Sequence, residues 1–244
     1  MSGAPLPLLG TFHELSLAVP DVRASVDFYE RLGFTQASTT DTYRHPYGVV
    51  TDGRLVIGLH QRPGPSTVLT FVRPGVAAAL PAFANAALEL TVCRTGDEVF
   101  NEVGFEDPFG HAVAVLEART YSPTDRPETA VSLCGDFAEV SLPASDFATA
   151  QAFWEPLGFV AAEEVQAPYP HLALTSDHLD ISFHRPRLHL QPMLVFREPD
   201  MAARLERLRE QGFELNPALA DSRNPAAFLE SPDGTTLLLM SEEQ

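Results

Sequence analysis

The sequence predicts an α+β fold made of two copies of one unit, and three observations predict it. The first is repetition. Phe12–Phe34 reads FHELSLAVPDVRASVDFYERLGF and Phe137–Phe159 reads FAEVSLPASDFATAQAFWEPLGF. Glu14 falls on Glu139, Ser16 on Ser141, Asp21 on Asp146 and Leu32-Gly33-Phe34 on Leu157-Gly158-Phe159, all at an offset of 125. Later pairs keep step at 124, among them Thr51 with Thr175, Ile57 with Ile181, His60 with His184, Arg73 with Arg197 and Pro108 with Pro232. So small a drift over so long a span marks a duplicated unit. The second observation is that each copy opens with strand-like alternation and passes directly into helical periodicity. The third is length: 244 residues accommodate two domains of ordinary size.

In Glu14–Val19, Leu15, Leu17 and Val19 share one face while Glu14, Ser16 and Ala18 share the other, which is a strand with two different sides. Asp21 then caps a helix whose apolar stripe is Val22, Val26, Phe28, Tyr29 and Leu32. Gly33 ends it, because glycine tolerates the positive φ of a helix terminus. Asp146 and Gly158 repeat the device in copy two. Short strands follow around Gly48–Thr51, Leu55–His60, Leu172–Thr175 and Leu179–His184. The rest of copy one reads as strand Val68–Arg73, helix Ala77–Ala87 and strands Glu89–Cys93, Phe100–Glu106 and Ala112–Glu117. In copy two the matching pieces are Met193–Arg197, Met201–Gln211, Ala226–Glu230 and Thr236–Met240. Each copy thus holds two strand-helix-strand-strand-strand modules, four in all. The Pro-rich, charged stretch after residue 119 reads as a linker, which gives domains 1–119 and 135–244 joined by 120–134.

The formal charge of −17 argues against nucleic-acid and membrane-surface partners, both of which carry negative charge. Two cysteines, Cys93 and Cys134, make no disulfide framework, and no apolar run approaches the ~18 residues of a membrane helix. A cytoplasmic, acidic protein is expected.

The string E-L-S-L-A-V-x-D, continuing to F-Y-x-x-L-G-F and later to D-P-F-G-H, resembles the vicinal oxygen chelate superfamily of glyoxalase I, extradiol dioxygenases and fosfomycin- and bleomycin-resistance proteins. The resemblance spans Thr11–Arg119 and Gly135–Ser241. It implies that βαβββ modules pair into two incomplete barrels with a ligand inside each. Metal-using members of the superfamily place one ligand where Glu14 and Glu139 stand. Their other ligand positions fall here on Thr67, Gln191, Ala114, Leu238, Ile57 and Ile181, which are poor donors. The expectation is therefore no metal ligands and no cofactor, the alternative being a divalent ion such as Zn, Ni, Mn or Fe.

The same alignment turns Glu14, Ser16, Thr67, Leu69, Phe71, Ala112, Ala114 and Leu116 inward in copy one, and Glu139, Ser141, Gln191, Met193, Val195, Thr236, Leu238 and Met240 in copy two. A carboxylate in such an apolar cavity is expected to have a raised pKa and to suit proton transfer. Glu14 and Glu139 are accordingly the candidate catalytic residues. Ser16, Tyr47, His60, Phe71, Ser141, His171, His184 and Met193 are the candidate ligand contacts. Tyr43, His45 and Tyr169 border the cavity mouths, as aromatic walls for a flat ligand. His60 and His184 are read either as ligand contacts or as strand-end histidines that bond a neighbouring loop. The function expected is binding of a small, partly aromatic molecule by a monomer or homodimer. The alternative is a superfamily enzyme, either a metal-dependent lyase, isomerase or dioxygenase or an acid–base catalyst working through Glu14 or Glu139.

Overall fold

The structure, a computed structural model, describes residues 7–38, 43–118, 132–219 and 225–242. The first half contains β1 (Thr11–Ala18), α1 (Val22–Arg31), β2 (Thr35–Gln36), β3 (Tyr47–Thr51), β4 (Val56–His60), β5 (Thr67–Arg73), α2 (Val76–Asn85), β6 (Leu90–Arg94), β7 (Glu102–Glu106) and β8 (Ala112–Glu117). The second repeats it with β9 (Asp136–Pro143), α3 (Phe147–Trp154), β10 (Val160–Ala161), β11 (His171–Thr175), β12 (Ile181–His184), β13 (Met193–Arg197), α4 (Met201–Glu210), β14 (Asn216–Pro217), β15 (Ala226–Glu230) and β16 (Thr236–Met240). Residues 120–131 of the expected linker lie outside the described residues.

Each half is one eight-stranded mixed sheet, in the order β2-β3-β4-β1-β5-β8-β7-β6 and, in the second half, β10-β11-β12-β9-β13-β16-β15-β14. The sheet joins two βαβββ modules side by side through antiparallel pairing of their first strands, β1 with β5 and β9 with β13. The fold class expected from the sequence is the one observed. Its local signals also work as read: the Asp21 carboxylate accepts the N–H groups of Arg23 and Ala24, and Gly33 ends the turn after α1 with φ of 90°.

One apolar cluster runs through both halves, joining Leu15, Leu17, Tyr29 and Phe105 to Trp154, Leu194 and Phe196. Aromatic edges carry it across the junction, at Phe28–Phe213 (5.8 Å), Phe34–Phe196 (6.3 Å) and Phe105–Phe153 (6.2 Å). Trp154 is fully buried, and its indole N–H donates across the junction to Asp107 Oδ2 at 3.3 Å. In the reverse direction Ser25, on α1, donates to Asp233 at 3.2 Å. Each half thus anchors its first helix on the other half's Pro-Gly turn. The helical face of each sheet is committed to this shared core, and only the opposite face is left to line a barrel.

Candidate functional site

In the first barrel the alternation of β1 sends Leu15 and Leu17 into the shared core and Glu14 and Ser16 into the interior. Glu14 is 1% exposed. Space for its carboxylate exists because Gly58, beside Ser16 in the parallel β1–β4 ladder, has no side chain. A Cβ there would fall on the carboxylate itself. Three donors hold the two oxygens. Ser16 Oγ gives to Oε1 at 2.7 Å, His60 Nε2 lies 2.9 Å from Oε1, and Tyr47 OH gives to Oε2 at 2.6 Å. His45 Nε2 lies 2.9 Å from His60 Nδ1, and Ser16 also meets Thr70 Oγ1 at 2.8 Å.

Burial alone pushes the Glu14 carboxyl upward, as expected from the sequence. The hydrogen bonds from His60, Tyr47 and Ser16 together outweigh it, and the group lies below the usual glutamate value. The expected raised pKa is therefore corrected: the sequence showed the apolar surroundings but not the three donors converging within them. Glu14 is an anion at neutral pH, satisfied by hydrogen bonds in the way a buried charge requires.

Above this group lies a cavity of about 230 Å³. Its polar floor is Ser16, His60 and Thr70, and its small-residue walls include Gly104 and Ala114. Arg62 stands at its rim. The Tyr43 and His60 rings make one side, with centroids 4.9 Å apart, and the Tyr47 ring packs against both at 4.6 Å. Glu14 sits beneath Ser16 and His60, so a ligand meets those two first.

The second barrel keeps the frame and loses the site. Ser182 stands where Gly58 does, next to Ser141, and its hydroxyl donates to Ser141 Oγ at 2.9 Å. With that space filled, Glu139 turns to Arg197, at 3.5 Å. His184 donates from Nε2 to the His189 carbonyl (3.0 Å) and accepts from Ser141 Oγ at Nδ1 (2.9 Å). Burial brings its pKa down to about 4, so the ring is neutral. The loop-bonded reading thus holds for His184, whereas His60 joins the carboxylate site. The interior itself is packed solid with Tyr169, Met193, Val195, Leu238 and Met240, and Phe228 against them. Phe228 pairs with Leu238 where Gly104 pairs with Ala114, so large residues stand where the first barrel has small ones.

Glu14, Ser16, Tyr47 and His60 are therefore brought together, with His45 and Tyr43 beside them. Glu139, Ser141, His184, Met193 and His171 do not form a matching site. His171 is buried, its Nδ1–H on the Tyr169 carbonyl at 3.0 Å, and Met193 is a core residue. Phe71, expected to touch ligand, lies on the other face of β5 against Phe12, with ring centroids 5.6 Å apart. The reason is register. Val68 lies opposite Ser16 as Met193 lies opposite Ser141, an offset of 125 and not 124, so the inward residues of β5 are Val68 and Thr70. A slip of one residue exchanges the faces of a strand. Thr70 and Gly58 were missed. Comparing the copies position by position signals Gly58, since a glycine opposite a serine inside a strand marks a close approach.

Residues 11–131 match the family model described as the Glyoxalase/Bleomycin resistance protein/Dioxygenase superfamily. No curated protein sequence matches the chain. Among solved structures, the chain is similar to the 2,3-dioxygenase LapB from Pseudomonas sp. KL28, with TM-score 0.65 and 14% identity over 99% of this chain and 94% of that one. It is similar to homoprotocatechuate 2,3-dioxygenase from Brevibacterium fuscum, here the E323L mutant, with TM-score 0.61 and 16% identity over 99% and 74%. It is also similar to the Mn(II)-bound glyoxalase from Novosphingobium aromaticivorans, with TM-score 0.56 and 15% identity over 98% and 84%. These likenesses overturn the expectation of no cofactor, because one protein of this fold is a Mn(II)-bound glyoxalase. Among the described residues no group of three or more His, Cys, Asp or Glu side chains converges on one centre. The donor set present does not by itself make such a site, and no step below is routed through an ion. Sequence match, sheet order and module pairing agree: the chain belongs to the Glyoxalase/Bleomycin resistance protein/Dioxygenase superfamily, in a tandem form with two unlike barrels.

Proposed function

We propose that the first barrel is an enzyme active site that transfers a proton on a small, partly aromatic molecule. The observation that carries the reading is the buried Glu14 anion gripped by three donors directly beneath a cavity. A buried carboxylate costs several kcal/mol to desolvate. In the second barrel the matching Glu139 has no such grip, and lies 3.5 Å from Arg197 instead. Ser16 already donates to Glu14 Oε1, so it can pass that proton inward while taking one from the substrate. The hydrogen bonds from His60 to Oε1 and from Tyr47 to Oε2 keep the carboxylate oriented. The aromatic side and the size of the cavity suit a single-ring molecule bearing oxygen. The neighbouring folds named as dioxygenases and a glyoxalase support an enzyme over a carrier.

The test is substrate C–H exchange in D₂O, followed by NMR over a panel of small ring compounds that includes catechol and homoprotocatechuate. Glu14→Gln should lower protein-catalysed exchange by about 10²- to 10⁴-fold with affinity kept within a few fold. Undiminished exchange in Glu14→Gln would remove Glu14 from the chemistry. Binding without any exchange in the wild-type protein would favour sequestration.

A further inference from the structure

We propose that His45 is the port through which protons reach and leave Glu14. The proposal rests on the reading of Glu14 as a proton-transfer group. A buried base that takes a proton must discharge it before the next turnover. With substrate in the cavity, the Ser16 side is occupied by the reacting group. The imidazole pair is the route that stays open: Glu14 Oε1 to His60 Nε2 at 2.9 Å, then His60 Nδ1 to His45 Nε2 at 2.9 Å. Along it exposure rises from Glu14 (1%) and His60 (3%) to the half-buried His45.

The protons balance around this chain. With Glu14 ionised, His60 carries its hydrogen on Nε2 and accepts at Nδ1 from His45 Nε2–H. A proton arriving at His45 Nδ1 releases the Nε2 proton to His60 Nδ1, and His60 releases its own to Glu14 Oε1. Both rings then carry hydrogen on Nδ1, the arrangement needed for outward passage: Glu14 to His60 Nε2, His60 Nδ1–H to His45 Nε2, His45 Nδ1–H to water. One inward and one outward transfer restore the resting tautomers, and a proton that Glu14 takes from substrate in the resting state leaves once both imidazoles have turned over to the Nδ1–H form. Burial, together with the neighbouring His60 and the cationic Arg62, holds His45 below the ordinary imidazole value. The ring is therefore neutral near pH 7, with one nitrogen free to give and the other to accept. Around it stand the Tyr43 ring at 5.1 Å and the His60 ring at 5.2 Å. The second half has lost the port together with the site. Two residues before β11, where His45 stands before β3, is the buried Tyr169, and His184 bonds the His189 carbonyl instead.

The test reads the resting protein and needs no substrate. In protein labelled with ¹⁵N-histidine, exchange of the His60 ring N–H with water is measured by NMR in wild type, His45→Gln and His45→Phe. Gln keeps a donor to His60 Nδ1 but cannot relay, and Phe fills the space with neither function. Both should slow His60 exchange by about tenfold or more, and free imidazole added to His45→Ala should restore it. Exchange at the wild-type rate in His45→Gln and His45→Phe would overturn the port. The port is thus judged apart from the Glu14→Gln result, which tests the chemistry it would serve.

Discussion

The two barrels are an internal experiment in what a cavity requires. They share the same sheet order, the same strand register at β1–β4 and β9–β12, and a glutamate and serine at the same places on the first strand. One holds a hydrogen-bonded anion under about 230 Å³ of space, and the other is filled. The difference lies at a few small residues: Gly58 against Ser182, Gly104 against Phe228, Ala114 against Leu238, and Thr70 against Val195. The glutamate alone does not make a site, since Glu139 lacks both the hole and the donors that Glu14 has. Nor do matched histidines, since His60 and His184 do different things from equivalent strand ends.

The comparison can be broken most sharply at Gly58. Gly58→Ser gives the first barrel the side chain of the second and displaces the Glu14 carboxylate. Catalysed proton exchange should fall by about 10²- to 10⁴-fold, and a variant that retains it would show that the position of the carboxylate is irrelevant. Next comes the cavity. Ala114→Leu should weaken ligand binding on the order of a hundredfold, about 2.7 kcal/mol by isothermal titration, without loss of thermal stability. In the packed barrel the reverse change, Leu238→Ala, should cost about 2–5 kcal/mol in denaturant unfolding, because it removes a fully buried side chain from a filled interior.

A gradual effect, spread over about two to three pH units, is a pH dependence confined to the second barrel. His184 titrates at about 4 in the native protein against an ordinary 6.5. Above pH 6.5 the ring is neutral in both states. Between about 6.5 and 4 the unfolded chain takes up a proton that the native one refuses, so stability falls as pH falls. The full loss is on the order of 3 kcal/mol. His184→Gln should flatten that slope in unfolding measured between pH 4 and 7, and an unchanged slope would place the titration elsewhere.

Much of this was legible in the chain. The constant offset, the alternation of β1 and the Asp-capped helices give the modules, and Glu14, Ser16, Tyr47 and His60 are among the residues the pattern singles out. What was not legible is long-range. Burial of Glu14 can be read from apolar neighbours, but the sign of its pKa shift depends on three donors from two other strands and its own. The face of β5 depends on where a one-residue drift falls between His60 and Val68, which periodicity cannot locate in a strand buried on both sides. The inequality of the barrels was present in the sequence as small residues opposite large ones. It becomes readable once register fixes which residues share an interior.

The most direct measurement compares Glu14→Gln with Glu139→Gln in the same D₂O exchange assay. The account predicts that Glu14→Gln loses exchange by about 10²- to 10⁴-fold while Glu139→Gln keeps the wild-type rate. Equal losses in the two variants, or a loss confined to Glu139→Gln, would contradict the assignment of chemistry to the first barrel.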